Sequence, residues 1–455
     1  MKSNLRTLQP WIAGATLTCD AAFDGVSTDS RAAAAGNLFL ALRGERFDAH
    51  DFLPQLAERG IAALVVERLP DDVKLPALIV PDTRRALGEI AHGWRGQFKL
   101  PLIGVTGSNG KTTVKEMIAA ILEAAFGADA HLATRGNFNN DIGVPLTLLR
   151  LNQAHKAAVV ELGMNHPGEI ALLSAIARPT VGLVNNAQRE HQEFMTSVEA
   201  VAQENGAVIQ SLPADGVAVF PADDAYTSLW RGYAAHCRTL TFGLNDEADV
   251  RCTHEAHAFG STLHVTAGAQ RFDIELAAVG LHNVRNALAA IACALAIEVP
   301  VDAVVRGLQA FAPVSGRLQR KTAPNGALVI DDTYNANPDS VRAAIDVLAQ
   351  AASPRILVLG DMGEVGNDGP QYHEEVGSYA RARGIDRLLT LGELTPHANK
   401  AFGAGAAHYD DVDQLNGALD GFFNNEATAL VKGSRFMKME RVVQHLLGQH
   451  NQEGH

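Results

Sequence analysis

Residues 104–117 read GVTGSNGKTTVKEM, between the apolar stretch PLIGV and a helical pattern. Glycines, a lysine and a threonine pair in that position leave the backbone few options. The N–H groups of Gly107, Ser108, Asn109, Gly110 and Lys111 turn around one point at the positive end of a helix dipole, which makes an anion site. In such a loop the lysine reaches the β- and γ-phosphates of a nucleotide, and the threonine after it, Thr112, offers its hydroxyl to Mg²⁺. Val105 stands where the usual pattern has its first glycine. Strand, loop and helix nevertheless agree, which favours a nucleoside triphosphate loop over a glycine-rich helix cap.

The surroundings of the loop predict an α/β protein. From residue 98 the chain repeats strand, loop and helix: PLIGV then KTTVKEMIAAILEAAF, AAVVEL then GEIALLSAIA, TVGLVNNA then SVEAVAQENGAVIQ. Val114, Met117, Ile118, Ile121 and Leu122 share one helical face, as expected for a helix covering a mainly parallel sheet. Residues 248–276 switch to period-two alternation and predict an antiparallel excursion. At 455 residues the chain exceeds one core. The pattern predicts three consecutive α/β domains: 1–97, 98–316 with the phosphate loop and a mainly parallel sheet, and 317–455, a Rossmann-like series built on ALVIDD, PRILVLGDM, RLLTLGE and TALVKGS.

Charge and cysteine usage exclude several classes. A formal net charge of −13 disfavours a nucleic-acid or anionic-membrane surface, so a bound polyanion needs a local cationic pocket. The four cysteines show no paired spacing, so neither a disulfide framework nor a zinc site is expected and a reducing cytoplasm fits. MKSNLRTLQPW has no apolar signal core, no run approaches a membrane span, and a monomer is the default expectation.

Candidate chemistry gathers at strand ends, where ligands of doubly wound sheets collect. Glu161 ends the strand after the loop and is expected to bind Mg²⁺; His191, after the next strand, is a second candidate ligand. GNFNNDIGVPLTLL, GLHNVRN, GRLQ, DDTYNANPD and GDMGEVG place further polar loops at strand or helix starts in two domains, which suggests a shared cleft. The guanine-specificity motif of GTPases and the HRD and DFG segments of protein kinases are absent.

On TGSNGKTT, GNFNNDIGVPLTLL, DDTYNANPDS and GDMGE followed by YHEE, nearly the whole chain resembles the Mur ligases of bacterial cell-wall synthesis. The resemblance is to the branch that joins D-alanyl-D-alanine to UDP-N-acetylmuramoyl-tripeptide. It implies ATP-driven amide synthesis through an acyl phosphate, with Mg²⁺. It also implies that Thr113, Asn283, Asn286, Arg317 and Asp332 join Gly107 to Thr112 around ATP. Ser27, Asp29, Ser30 and Arg31, in STDSR, would face the uridine end of the substrate, and Asn137, Phe138, Asn139 and Asn140 the nucleotide sugar. Asp361 and Glu364 would border the dipeptide. A sister amino-acid ligase stays open as an alternative, as does a P-loop ATPase or binding module.

One departure stands out. Many Mur ligases use a carbamylated lysine after the histidine segment, yet no lysine lies between Lys156 and Lys321. Glu204, next to Asn205 at the expected place, is the candidate substitute for that negative charge near the second Mg²⁺, with an exposed helix residue as the alternative reading.

Overall fold

The computed structural model describes residues 1–44, 47–190, 193–257 and 260–449. Among the described residues the strands form four sheets: a two-stranded antiparallel one, Lys2–Asn4 with Ala22–Asp24, and three larger ones in chain order. The first of the larger sheets has five short strands in the order Thr16–Leu17, Ala77–Ile79, Ala63–Val66, Leu38–Leu40, Val26–Ser27, parallel except for the first pair. Helix Thr83–Arg95 follows it, N-capped by Asp82 and packed on the next domain's helices Gly143–Leu148 and Glu169–Ala177.

In the nine-stranded sheet Leu102–Thr106 is an interior strand, third from one edge, and its five residues are all buried. Ala157–Glu161 pairs parallel on one side and Val181–Val184 on the other. The crossovers therefore diverge at the end of Leu102–Thr106, the topological switch point where such sheets open a crevice. Helix Lys111–Phe126 begins there and buries Val114, Met117, Ile118, Ile121 and Leu122 at 0% exposure, the face expected from the spacing. The antiparallel excursion is formed by Val250–His257, Gly260–Ala267 and Gln270–Leu276 at one edge of the sheet.

The third of the larger sheets has six strands, ordered Gln319–Thr322, Leu328–Asp332, Thr428–Lys432, Arg355–Gly360, Arg387–Leu391, Ala406–Tyr409, and only the first pair is antiparallel. Its apolar residues form two clusters, one on each face, as expected for a sheet covered by helices on both sides. Asp332 and Lys432 are register partners at the carboxyl ends of adjacent strands.

No helix among the described residues is long and apolar enough to cross a membrane.

Candidate active site

The carboxyl edge of the central sheet and the start of the third domain enclose a cleft of about 760 Å³, within the range of small-molecule sites. Its floor is the phosphate loop. Gly110 takes φ 83° at the N-cap of helix Lys111–Phe126, and a Cβ there would stand 2.5 Å from Asn286 Oδ1 and 2.7 Å from Asn185 Nδ2. Glycine is needed for both the backbone conformation and the close approach. Lys111 Nζ donates to the carbonyls of Gly107 (2.5 Å) and Ser108 (3.2 Å) and lies 3.3 Å from Glu190 Oε2.

A second layer braces the loop. After strand Val181–Val184, Asn186 Oδ1 accepts from the Asn109 N–H (2.9 Å), and Gln188 Oε1 accepts from Asn109 Nδ2 (2.7 Å). Asn185 Nδ2 donates to Asn286 Oδ1 (2.9 Å), and Asn286 Nδ2 to Asn283 Oδ1 (3.1 Å). Asn283 and Asn286 thus join the loop through an amide chain from helix Leu281–Ala296. Asn185, Asn186 and Gln188 were not singled out from sequence, although a polar pair at the end of a strand flanking a phosphate loop was a usable signal.

The third domain meets the loop directly. Arg317 Nη2 donates to Thr112 Oγ1 (2.9 Å), its guanidinium lying 4.2 Å from the Tyr334 ring centre, and Asn337 Nδ2 donates to Asn109 Oδ1 (2.9 Å). Asp332 also borders the cleft, but both carboxylate oxygens are engaged: Oδ1 accepts from the Leu318 N–H (3.1 Å) and Oδ2 from Lys432 Nζ (2.6 Å). Burial pushes this carboxyl up, and Lys432 pulls it back toward the charged form. Asp332 therefore fixes the segment that carries Arg317. Desolvation and the Lys432 ammonium push the His282 imidazole, at the same wall, down to about 4.

Glu161 lies 2% exposed with Oε1 accepting from Asn139 Nδ2 (2.8 Å). Its Oε2 is buried without a hydrogen-bond partner. An orphan carboxylate oxygen is costly unless a cation completes it. Asn140 borders the same wall and caps helix Gly143–Leu148 through the N–H groups of Ile142 and Gly143, while Asn137 and Phe138 stay outside the cleft lining. Arg84 of the first domain reaches this wall, donating from Nη2 to Asp141 Oδ1 (2.7 Å).

Other expected residues stand elsewhere. Glu204 does not border the cleft: Oε2 accepts from the Gly168 N–H and Oε1 from the Ile170 N–H, both at 2.8 Å. It caps helix Glu169–Ala177, whose own N-cap Gly168 has no side chain to do so. Asp361 is likewise a cap outside the cleft lining, accepting from the N–H groups of Glu393, Leu394 and Thr395 at 2.8–3.0 Å at the start of helix Thr395–Phe402. Glu364 does border the cleft. Ser27 ends strand Val26–Ser27 of the first domain, and Asp29, Ser30 and Arg31 follow it, all outside the cleft lining, with Arg31 Nη2 donating to Asp29 Oδ2 (2.8 Å). His191 lies outside the described residues.

A phosphate loop walled by an orphan carboxylate and closed by polar residues of a following domain defines a P-loop enzyme with an interdomain site. The chain belongs to the Mur ligase family. Residues 22–95 match the model of the Mur ligase family catalytic domain, 105–294 the Mur ligase middle domain, and 316–435 the Mur ligase glutamate ligase domain. The chain is 42% identical over 433 residues, 94% of each chain, to the UDP-N-acetylmuramoyl-tripeptide--D-alanyl-D-alanine ligase of Escherichia coli, and 39% identical over 92% of each chain to that of Haemophilus influenzae. It superposes on a crystal structure of MurF from Acinetobacter baumannii with TM-score 0.92 and 34% identity, covering 98% of this chain and 99% of the other. MurF ligase from Thermotoga maritima in complex with ADP gives TM-score 0.84 at 26% identity, covering 93% and 97%.

Proposed function

We propose that this cleft uses ATP to join D-alanyl-D-alanine to UDP-N-acetylmuramoyl-tripeptide, forming the pentapeptide precursor of peptidoglycan. The observation that carries the reading is the meeting of the phosphate-loop residues Asn109 and Thr112 with Asn337 and Arg317 across two domains. The name these relatives share, over 92–94% of the chain, agrees with it.

The chemistry asked of the site is charge management and positioning. A terminal carboxylate oxygen of the tripeptide attacks the γ-phosphorus, and the bond to the β-phosphate oxygen breaks to release ADP. The amine of D-alanyl-D-alanine then attacks the acyl carbon, a tetrahedral intermediate forms, and phosphate departs with the carboxylate oxygen as the amine loses its proton. Two anions must approach in the first step, so Lys111 beside the loop carbonyls and Arg317 beside Thr112 supply the countercharge. Asn185, Asn283 and Asn286 fix the loop in the shape an anion requires.

Oxygen donors suit Mg²⁺, which binds one or two protein oxygens and completes its shell with water and phosphate. Glu161 Oε2, buried and unpartnered, and the Thr112 hydroxyl provide such donors, so the residues fit the ion. When bound, Mg²⁺ would neutralise the phosphates and polarise the γ-phosphoryl group. We place the enzyme in the cytoplasm as a monomer, with Ser27 to Arg31 and Asn137 to Asn140 toward the nucleotide substrate and Glu364 toward the dipeptide.

The test is phosphate release with ATP and Mg²⁺, omitting each substrate in turn and weighing the product. Release that needs both substrates, with an amide-linked pentapeptide, supports the reading. Release with neither overturns it in favour of a P-loop ATPase.

A further inference from the structure

Between Gln188, which braces Asn109, and Glu190, which lies beside Lys111, the side chain of Arg189 leaves the central domain altogether. It reaches two helices of the third domain. The Arg189 N–H donates to Asp339 Oδ2 (3.0 Å) and Nη2 to Asp339 Oδ1 (2.6 Å), while Nη1 and Nη2 donate to Glu375 Oε2 and Oε1 at 2.7 and 3.0 Å. One guanidinium thus holds two carboxylates through forked contacts, the arrangement for which arginine is suited and lysine is not. Arg342 Nη1 donates to Glu375 Oε1 (2.8 Å), and the Tyr372 ring centre lies 5.3 Å from the Arg189 guanidinium. The side chains of Arg189, Asp339 and Glu375 are 22%, 24% and 30% exposed, so the cluster is partly shielded from water and salt.

The place of Asp339 gives the cluster a consequence. It sits in the first turn of helix Pro338–Ala349, whose N-cap Asn337 bonds the phosphate-loop residue Asn109. Arg189 and Asn109 therefore grip the same helix start from two sides, and Gln188 links them. We propose that Arg189 is a positioning residue, a latch that holds the third domain closed over the phosphate loop and so seals the cleft while an acyl phosphate is present. This rests on the ligase reading for its catalytic consequence, but closure itself does not. The contacts are short-ranged and directional, so they exist only when the domains meet. An open cleft admits water to an intermediate that hydrolyses readily, so the signature of a lost latch is ADP formed without amide product.

The test compares wild type with Arg189→Ala, Arg189→Lys and Glu375→Gln in the full chain. Small-angle scattering with ADP bound reads closure, and the ratio of ADP to amide product reads sealing. The latch predicts a more extended Arg189→Ala protein, kcat/KM for ligation lower by about tenfold or more, and ADP released in excess of product. Arg189→Lys and Glu375→Gln should fall between it and wild type, because each keeps one arm of the fork. Wild-type compactness and a one-to-one ratio in Arg189→Ala would overturn the proposal, as would a loss of thermal stability with the ratio unchanged. If wild type makes no amide, the ligase reading fails, and the scattering comparison still decides the latch.

Discussion

Replacing Gly110 by alanine tests whether the phosphate loop is shaped by its neighbours as well as by its backbone. The residue sits at φ 83°, ψ −5°, a left-handed conformation that costs a side-chain-bearing residue about 1–2 kcal/mol. The added methyl would also fall 2.5 Å from Asn286 Oδ1 and 2.7 Å from Asn185 Nδ2, two atoms hydrogen-bonded to each other at 2.9 Å. Parting them forfeits one buried hydrogen bond, about 1 kcal/mol. Together these give about 2–3 kcal/mol. Because both effects act on the loop, the loss should appear as nucleotide affinity roughly 30- to 150-fold weaker. Gly268 is the control: it has φ 58° in the turn between two edge strands and nothing within 4 Å of its Cβ position. Gly268→Ala should cost stability in urea and leave affinity unchanged. Calorimetric titration with a non-hydrolysable ATP analogue separates the two. Wild-type affinity in Gly110→Ala would refute the assignment of Asn185 and Asn286 as the loop's rigid backing.

Three further outcomes follow from individual carboxylates. Glu161→Gln keeps the shape that accepts from Asn139 but removes the charge on the unpartnered oxygen, so half-maximal activity should need about tenfold more Mg²⁺; an unchanged Mg²⁺ titration would contradict the metal role. Glu204→Ala should weaken the protein by about 1 kcal/mol, the worth of a helix cap, with the Mg²⁺ requirement unmoved; a raised requirement would return Glu204 to the metal. Hydrogen bonds from Arg189 hold the Glu375 carboxyl at about 2, below its ordinary 4.5, with Arg342 adding to the effect. A depressed value means the contribution is complete above about 4.5 and disappears as pH falls toward 2. The stability difference between wild type and Glu375→Gln should therefore be flat above pH 5 and vanish on acidification; a difference that persists at pH 2 would count against the pairing.

What the sequence revealed and concealed divides along a physical line. Strand and helix identity is a local property of apolar spacing, so the face Val114, Met117, Ile118, Ile121 and Leu122 and the antiparallel edge near residue 260 could be read directly. The phosphate loop was legible for the same reason, its strand, glycines and helix being contiguous. Glu161 could be placed because strand ends converge at one edge of a parallel sheet. The partners of the remaining polar side chains are set by tertiary register. The N–H groups that occupy Asp361 lie more than thirty residues on, at Glu393 to Thr395, and those that occupy Glu204 lie more than thirty residues back, at the start of helix Glu169–Ala177. Nothing in GDMGE or VAQENG marks either carboxylate as a helix cap. Arg189 was hidden in the opposite way: in NNAQRE it reads as a solvated charge, and only the fold brings Asp339 and Glu375 to it.

Isotope transfer reaches the proposed chemistry most directly. With ¹⁸O in the terminal carboxylate of the UDP-N-acetylmuramoyl-tripeptide, ATP, Mg²⁺ and D-alanyl-D-alanine, the phosphate released should carry one ¹⁸O atom per amide formed, because the oxygen that attacks the γ-phosphorus leaves with it. Unlabelled phosphate accompanying labelled amide would contradict carboxylate activation by phosphoryl transfer in this cleft.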